Sequence, residues 1–186
     1  MSVIFLLLGV LLIIAFFLVI VFNRFVKNKN IVKDAWSNID VALKRRYDLI
    51  PNLVETVKGY AKHEKTTLEN VINARNAAMA VPSNDINAQI KAENQLQQTL
   101  RSIFALSEAY PDLKANTNYL DLQQKLNEIE ENLERSRRYY NGTVRENNTY
   151  GESFPGVLFA GMFNYQHFDF FETDEVSREN VKVNFN

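Results

Sequence analysis

Val3 to Phe22 is an unbroken run of 20 residues without one polar side chain, and all but Gly9 and Ala15 are Val, Ile, Leu or Phe. Wound as a helix, it spans about 30 Å, the thickness of a bilayer's hydrocarbon core. At roughly −0.3 to −0.6 kcal/mol for each such residue, insertion is favoured by ~5–11 kcal/mol, an upper range because residues near the ends count for less. A helix that is apolar on every face is a poor fit to a soluble domain, whose helices keep one wet side. The run is therefore expected to cross a membrane. A cleaved leader needs a basic start, a shorter apolar core and a small-residue cleavage site. Here only Met1 and Ser2 precede the run, and it ends Val21-Phe22-Asn23-Arg24 with no Ala-x-Ala pattern. The segment is expected to stay attached.

No Lys or Arg precedes the run, whereas Arg24, Lys27, Lys29 and Lys33 come after it. The positive-inside rule then predicts a single-pass protein of the cytoplasmic membrane, with the short N-terminus outside and residues 24–186 in the cytoplasm. The four bases form a collar where the chain leaves the bilayer. Beyond it, residues 30–186 carry 18 basic and 22 acidic side chains. That acidic balance speaks against a general nucleic-acid binder, which needs a basic excess to meet phosphates. The chain has no cysteine, which excludes disulfides, thiolate zinc sites, iron–sulfur clusters and a Cys nucleophile.

The rest reads as helix. From Trp36 one stripe advances in steps of three and four: Ile39, Leu43, Arg46, Ile50, Leu53, Val57, Tyr60, Glu64, Thr67, Val71, Ala74, Ala78. This heptad-like seam predicts one long helix to about Ala80. Pro51 interrupts it, because proline lacks an N–H and its ring crowds the carbonyl at Tyr47, so a kink or short break is expected at Tyr47–Pro51. Val81 to Asp85 reads as a loop, with Ser83 or Asp85 capping the next helix. That helix is expected over Ile86–Ala109, with Ile86, Ile90, Leu96, Leu100, Ile103 and Phe104 on its apolar face. After a connector over 111–117, Asn118 is the expected cap of a third helix. This helix buries Leu122, Leu126, Ile129, Leu133, Ser136, Tyr140 and Val144, while residues 128–135 form a charged outer face. Three long helices with short connectors alternate in direction. The predicted fold is all-α: an N-terminal transmembrane helix, then an antiparallel bundle of three long helices plus a short fourth. The expected divisions are 1–29 (anchor and collar), 30–153 (bundle) and 154–186 (aromatic-rich segment).

Residues 154–171 hold seven aromatics, Phe154, Phe159, Phe163, Tyr165, Phe168, Phe170 and Phe171. So many rings left in water make a sticky patch. Pro155 suits the start of a short helix over about Gly156–Phe163. Two readings stand. The segment folds back and completes the bundle's core, or Phe159, Phe163, Tyr165, Phe168, Phe170 and Phe171 form a surface for self-association or for the membrane interface. Val181–Phe185 alternates like a strand, but it is short and lies at the chain end.

Several ordered blocks carry a family resemblance. They are Ala42-Leu43-Lys44-Arg45-Arg46-Tyr47-Asp48 with Leu49-Ile50-Pro51-Asn52-Leu53-Val54-Glu55-Thr56-Val57-Lys58-Gly59-Tyr60, then Leu106-Ser107-Glu108-Ala109-Tyr110-Pro111-Asp112-Leu113-Lys114-Ala115-Asn116. Arg137-Arg138-Tyr139-Tyr140-Asn141 and Ser153-Phe154-Pro155 come next, and the ending Phe171-Glu172 with Val183-Asn184-Phe185 fits too. In this order, after an apolar helix, they resemble the LemA family. One departure is visible: Asn147-Asn148 stands where the family usually repeats a Tyr-Asn pair. The resemblance implies a membrane-anchored cytoplasmic bundle of antiparallel helices, and supplies no catalytic residue to carry over.

The residues themselves offer little chemistry. There is no Gly-x-Ser-x-Gly elbow and no Walker-type loop, and His63-Glu64 is followed by Lys-Thr-Thr, without the second histidine of a zinc motif. No metal, cofactor or enzymatic activity is expected. Arg46 and Glu64 lie on the inward seam, and a buried charge needs a partner. Glu108 and Arg138 on neighbouring helices are the candidates, giving an internal ion-pair network that fixes register. The predicted function is a non-enzymatic scaffold at the lipid bilayer that forms homo-oligomers or binds other envelope proteins. Two further classes remain open: an adaptor of a membrane protease or sensor, and a ligand-binding or catalytic bundle. The last requires a solvent-open cleft at Arg46, Glu64 and Glu108.

Overall fold

The computed structural model describes residues 2–82 and 85–171, and every regular element among them is a helix. In order they are α1 (Ser2–Tyr60), α2 (Lys65–Met79), α3 (Ile86–Ala109), α4 (Pro111–Lys114), α5 (Thr117–Glu152) and α6 (Gly156–Phe159). The all-α expectation holds. The alternating stretch at Val181–Phe185, the cap at Ser83 and the family-like ending beyond Phe171 lie outside the described residues. Among the described residues the chain divides into two compact units, one of 2–39 with 136–170 and one of 40–135 with Phe171. These boundaries differ from the expected ones. Composition shifts at 29 and 153 suggest three segments, but α1 and α5 each contribute to both units, and the aromatic segment to Phe170 belongs with the anchor.

In the 40–135 unit four helical stretches alternate in direction. Tyr47 on α1 bonds to Arg75 on α2 and to Gln89 on α3, and Arg46 meets both Glu93 on α3 and Glu130 on α5. At the other end, Tyr60 accepts from Asn116 just before α5, and Glu64 from Tyr110 just after α3. The expected single helix over 36–80 is thus two. The chain reverses at 61–64, next to Gly59, rather than at Pro51. Across Pro51 the helix runs unbroken, because the Tyr47 carbonyl that loses its usual donor there receives Arg75 Nε at 2.7 Å. The seam predicts burial through Val57; around the reversal Ala61 and Leu68 are inside in place of Tyr60 and Thr67, and the seam is then regained at Val71, Ala74 and Ala78.

The caps are local. Asp85 Oδ1 accepts the Ala88 N–H at 2.9 Å at the start of α3. For α5 the cap is Asn116, not Asn118: its Oδ1 accepts the Tyr119 N–H at 2.9 Å. Both satisfy N–H groups that a helix start leaves unpaired.

In the other unit, α1 and the second half of α5 run antiparallel. The Trp36 ring meets Tyr140 edge-on at 5.4 Å, Arg24 pairs with Glu146, and Phe25 meets Tyr150 at 4.9 Å. From Val21 onward α1 has a buried face (Val21, Phe25, Asn28, Val32, Ala35), whereas side chains from Ser2 to Ile20 are outward, with only Gly9 and Leu18 half-covered. After α5 the chain turns through α6, with Gly156 set so closely on the Tyr150 carbonyl that a Cβ has no room. It reverses at Asn164, in the left-handed region at φ 49° that asparagine tolerates. Residues 165–169 then return beside α5.

Candidate functional site

The seam places Arg46 and Tyr47 side by side on α1, facing α3. Arg46 Nη1 donates to Glu93 Oε2 at 2.9 Å and Nη2 meets Glu130 Oε1 at 3.0 Å. The Tyr47 hydroxyl donates to Glu93 Oε1, and Gln89 Nε2 donates to both Glu93 Oε1 at 3.2 Å and the Tyr47 oxygen at 2.9 Å. The side chains of Arg46 and Glu93 are each 1% exposed. Burial first, and the Glu93 charge second, push the Tyr47 phenol well above its usual range, so it stays neutral and donates. A buried charge pair of this kind stands only with good geometry and its remaining lone pairs satisfied, and here Glu93 accepts from three side chains.

The network differs from the expected one. Arg46 is in it, but its partners are Glu93 and Glu130. Glu64 lies at the far end of the unit, accepting from Tyr110 at 3.3 Å, and Glu108 is exposed and bonded to Lys114 at 2.6 Å. Arg138 falls in the other unit. Glu130, expected on the charged outer face, instead turns toward Arg46. Glu93 and Gln89 are polar and escape a search for apolar faces, yet Gln89, Glu93, Leu96, Leu100, Ile103 and Ser107 are the buried side of α3. With polar residues included, that is a regular four-three-four-three-four seam. The expected Ile86, Ile90 and Phe104 are only half-covered.

The aromatic segment also resolves residue by residue. Phe168 and Phe171 are buried, and Phe159, Phe163, Tyr165 and Phe170 are half-covered. Phe159 packs on Phe17 at 6.3 Å, and Phe163 on Phe22 at 5.3 Å and Phe25 at 6.0 Å, while Tyr165 meets Phe25 at 5.9 Å. The six rings expected as an association surface are thus largely turned into their own units. The outward apolar side chains are others: Phe154, Val157, Leu158 and Met162. The returning stretch is held by the asparagine pair. Asn148 donates to the Phe168 carbonyl at 2.8 Å and accepts its N–H at 3.2 Å, while Asn147 donates to the Gln166 carbonyl at 2.9 Å. Tyr140 donates to the Asp169 carbonyl at 3.0 Å, and its phenol is pushed up to about 12 by burial and then by the Asp169 charge. The Asn147-Asn148 pair is therefore a working part: the Asn148 amide bonds the returning backbone through both donor and acceptor, and Asn147 adds a donor to the Gln166 carbonyl.

In the collar, Arg24 pairs with Glu146 and lies over the Tyr150 ring at 6.0 Å, Lys27 and Lys33 are exposed, and Lys29 is half-covered. Among the described residues no group of three or more His, Asp or Glu is placed to hold a metal ion. Open clefts lie among the described residues of the 40–135 unit. One, of about 530 Å³, is lined by Ala42, Leu49 and Ile129 together with Arg45, Asp48, Lys125 and Glu128. Another, of about 570 Å³, is lined by Val54, Leu68 and Ile72 together with Glu55, Lys58, Lys62 and Lys65.

These features define a class: a helical-bundle protein with an N-terminal helix long and apolar enough to cross a membrane, and with a buried Arg46–Glu93 ion pair inside the bundle. Residues 35–185 match the model of the LemA family, and the chain belongs to that family. It is also similar to Protein LemA of Metamycoplasma hominis, 25% identical over 159 residues that cover 86% of this chain and 72% of the relative.

Proposed function

We propose that this chain is a single-pass membrane protein whose bundle stands at the cytoplasmic face and acts as a non-enzymatic scaffold, associating with copies of itself or with other envelope proteins. The observation that carries the reading is the contrast along α1. Up to Ile20 its apolar side chains face outward; from Val21 they turn into a core. A bilayer is the surrounding that suits a helix apolar on all sides, and the collar at Arg24, Lys27, Lys29 and Lys33 favours the cytoplasm for the bundle beyond it. Copies held on one membrane meet at raised effective concentration, so weak lateral contacts suffice. These clefts, lined by apolar and charged side chains together, suit such contacts. The closure of Arg46 and Glu93 weighs against chemistry at that cluster, which needs an opening for substrate.

Crosslinking in isolated membranes with an amine-reactive reagent, followed by mass identification of joined peptides, tests this. Joined peptides between copies, or to a defined membrane partner, through Lys58, Lys62, Lys65 or Lys125 are expected. A particle that stays monomeric in mild detergent and yields no intermolecular peptide in the membrane contradicts the proposal.

A further inference from the structure

Ser153 to Phe163 is a stretch of 11 residues with no charged side chain. It makes the turn between α5 and the returning chain, and it is split into two faces. Its inner face is fixed: Phe159 against Phe17, Phe163 against Phe22 and Phe25, and Gly156 against the Tyr150 carbonyl. Its outer face is Phe154, Val157, Leu158 and Met162, which are 76%, 51%, 66% and 69% exposed. Four large apolar side chains exposed within the nine residues 154–162 make a patch that needs a cover.

The inner contacts say what that cover is. Phe17 and Phe22 are the last turns of the apolar run Val3–Phe22, so the turn is bolted to the part of α1 that lies within the bilayer on the proposed reading. Arg24 marks the headgroup level, where it pairs with Glu146 and lies over Tyr150. Counting down α1 from Arg24 at 1.5 Å per residue, Phe22 lies about 3 Å and Phe17 about 10 Å below that level. Interfacial elements sink about 5–10 Å into the boundary between headgroups and acyl chains. A turn clamped to Phe17 and Phe22 therefore sits at that depth, with its outer apolar face toward lipid.

We propose that residues 153–163 form a second membrane contact, a wedge that dips into the cytoplasmic leaflet beside the anchor helix and takes acyl chains on Phe154, Val157, Leu158 and Met162. The inference rests on the reading that Val3–Phe22 crosses the bilayer, but not on self-association. Two attachment points instead of one restrict the tilt and rotation of α1, with the 136–170 stretch packed on it, in the bilayer.

The chain has no cysteine, so single-cysteine variants carry a reporter without background. The full-length chain is reconstituted in phosphatidylcholine–phosphatidylglycerol vesicles, with an environment-sensitive fluorophore at Leu158→Cys or Met162→Cys. Leu12→Cys reports the span, and Glu131→Cys, exposed on α5, reports water. Quenching by lipids carrying a doxyl group near the carbonyl end or deep in the acyl chain, and by aqueous iodide, is compared. At Leu158 and Met162 the shallow doxyl lipid is expected to lower fluorescence about twofold, as suits an interfacial depth, while iodide has little effect. Leu12 is expected to respond to the deep doxyl lipid and Glu131 to iodide alone. Labels at Leu158 and Met162 that behave like Glu131, with Leu12 still quenched from within the bilayer, overturn the wedge and leave the anchor standing. Labels protected from both lipid and iodide also overturn it, and assign the patch to a second copy of the chain or a protein partner. A Leu12 label open to iodide overturns wedge and anchor together.

Discussion

Arg75 donates from Nε to the Tyr47 carbonyl at 2.7 Å, and so makes the bond that Pro51 cannot. A proline inside a helix leaves the carbonyl four residues back without its donor. Here a charged side chain from the neighbouring helix supplies one, and α1 continues through Pro51 to Tyr60. The bond also ties α2 to α1 one residue from Arg46. We predict that Arg75→Leu lowers stability by about 1.5–3 kcal/mol, the usual worth of a hydrogen bond to a charged group. The loss is smaller in a Pro51→Ala background, where the new N–H restores the helical bond. Thermal unfolding of the four variants followed by circular dichroism gives the coupling; equal losses in both backgrounds refute it.

We predict that the buried Arg46–Glu93 pair acts as a register lock. Glu93→Leu leaves the Tyr47 hydroxyl without its acceptor, Gln89 with Tyr47 alone and Arg46 with Glu130 alone, and costs about 3–5 kcal/mol. Arg46→Met with Glu93→Leu together recovers part of that, because no fully buried charge is then left without its partner, while the Tyr47 hydroxyl still lacks Glu93. Denaturant unfolding of the full chain in detergent reads both values. A double variant as unstable as the single one contradicts the lock.

Asn148 clasps the returning chain from both sides of one peptide position. Asn148→Ala leaves the Phe168 N–H and carbonyl without partners, each worth about 1–3 kcal/mol when buried and unsatisfied. The loss is expected to be local. Hydrogen exchange should quicken over residues 164–170 while the core of 40–135 is unchanged, and slow exchange at Phe168 in the variant refutes the clasp.

Alkaline conditions should weaken the fold through its tyrosines. Burial first and the Asp169 charge second raise the Tyr140 phenol to about 12, while an unfolded tyrosine ionises near 10. The folded state thus holds the proton more tightly. Its contribution is intact below pH 10 and is lost as pH climbs through 12. Tyr47, shifted in the same direction by burial and then by Glu93, steepens the fall. Denaturant midpoints measured from pH 8 to 12 should drop above pH 10, and Tyr140→Phe, though less stable at pH 8, should show a shallower drop. Midpoints that hold level to pH 12 contradict this.

Much of this architecture is legible in the residues, and the remainder is hidden for physical reasons. Val3–Phe22 needs only hydropathy, which is a sum over neighbours in sequence. The buried run from Ile39 to Val57 needs only periodicity. The reversal at 61–64 is masked because Pro51 draws the expected break to itself, and the cure for Pro51 is Arg75, 28 residues away from Tyr47. Tyr60, Glu64 and Thr67, three successive polar or tyrosyl members of the seam, are the local sign of the true turn. Glu93 escapes because a charged residue is expected to face water, although its spacing on α3 is that of the core. The rings at Phe159 and Phe163 do need cover, but their cover is α1 itself, which leaves Leu158 and Met162 outward. The clasp at Asn147-Asn148 obeys no period at all, since it depends on where the chain returns.

On the proposed reading, α1 holds the bundle against the inner face of a membrane. Single-cysteine variants at Ser2 and at Glu131, treated in intact spheroplasts with a membrane-impermeant maleimide and again after lysis, test this most directly. The expected result is labelling of Ser2→Cys from outside, labelling of Glu131→Cys only after lysis, and recovery of both full-length chains with the membranes. Labelling of Glu131→Cys in intact spheroplasts, or a freely dissolved chain that has lost its first residues, would contradict it.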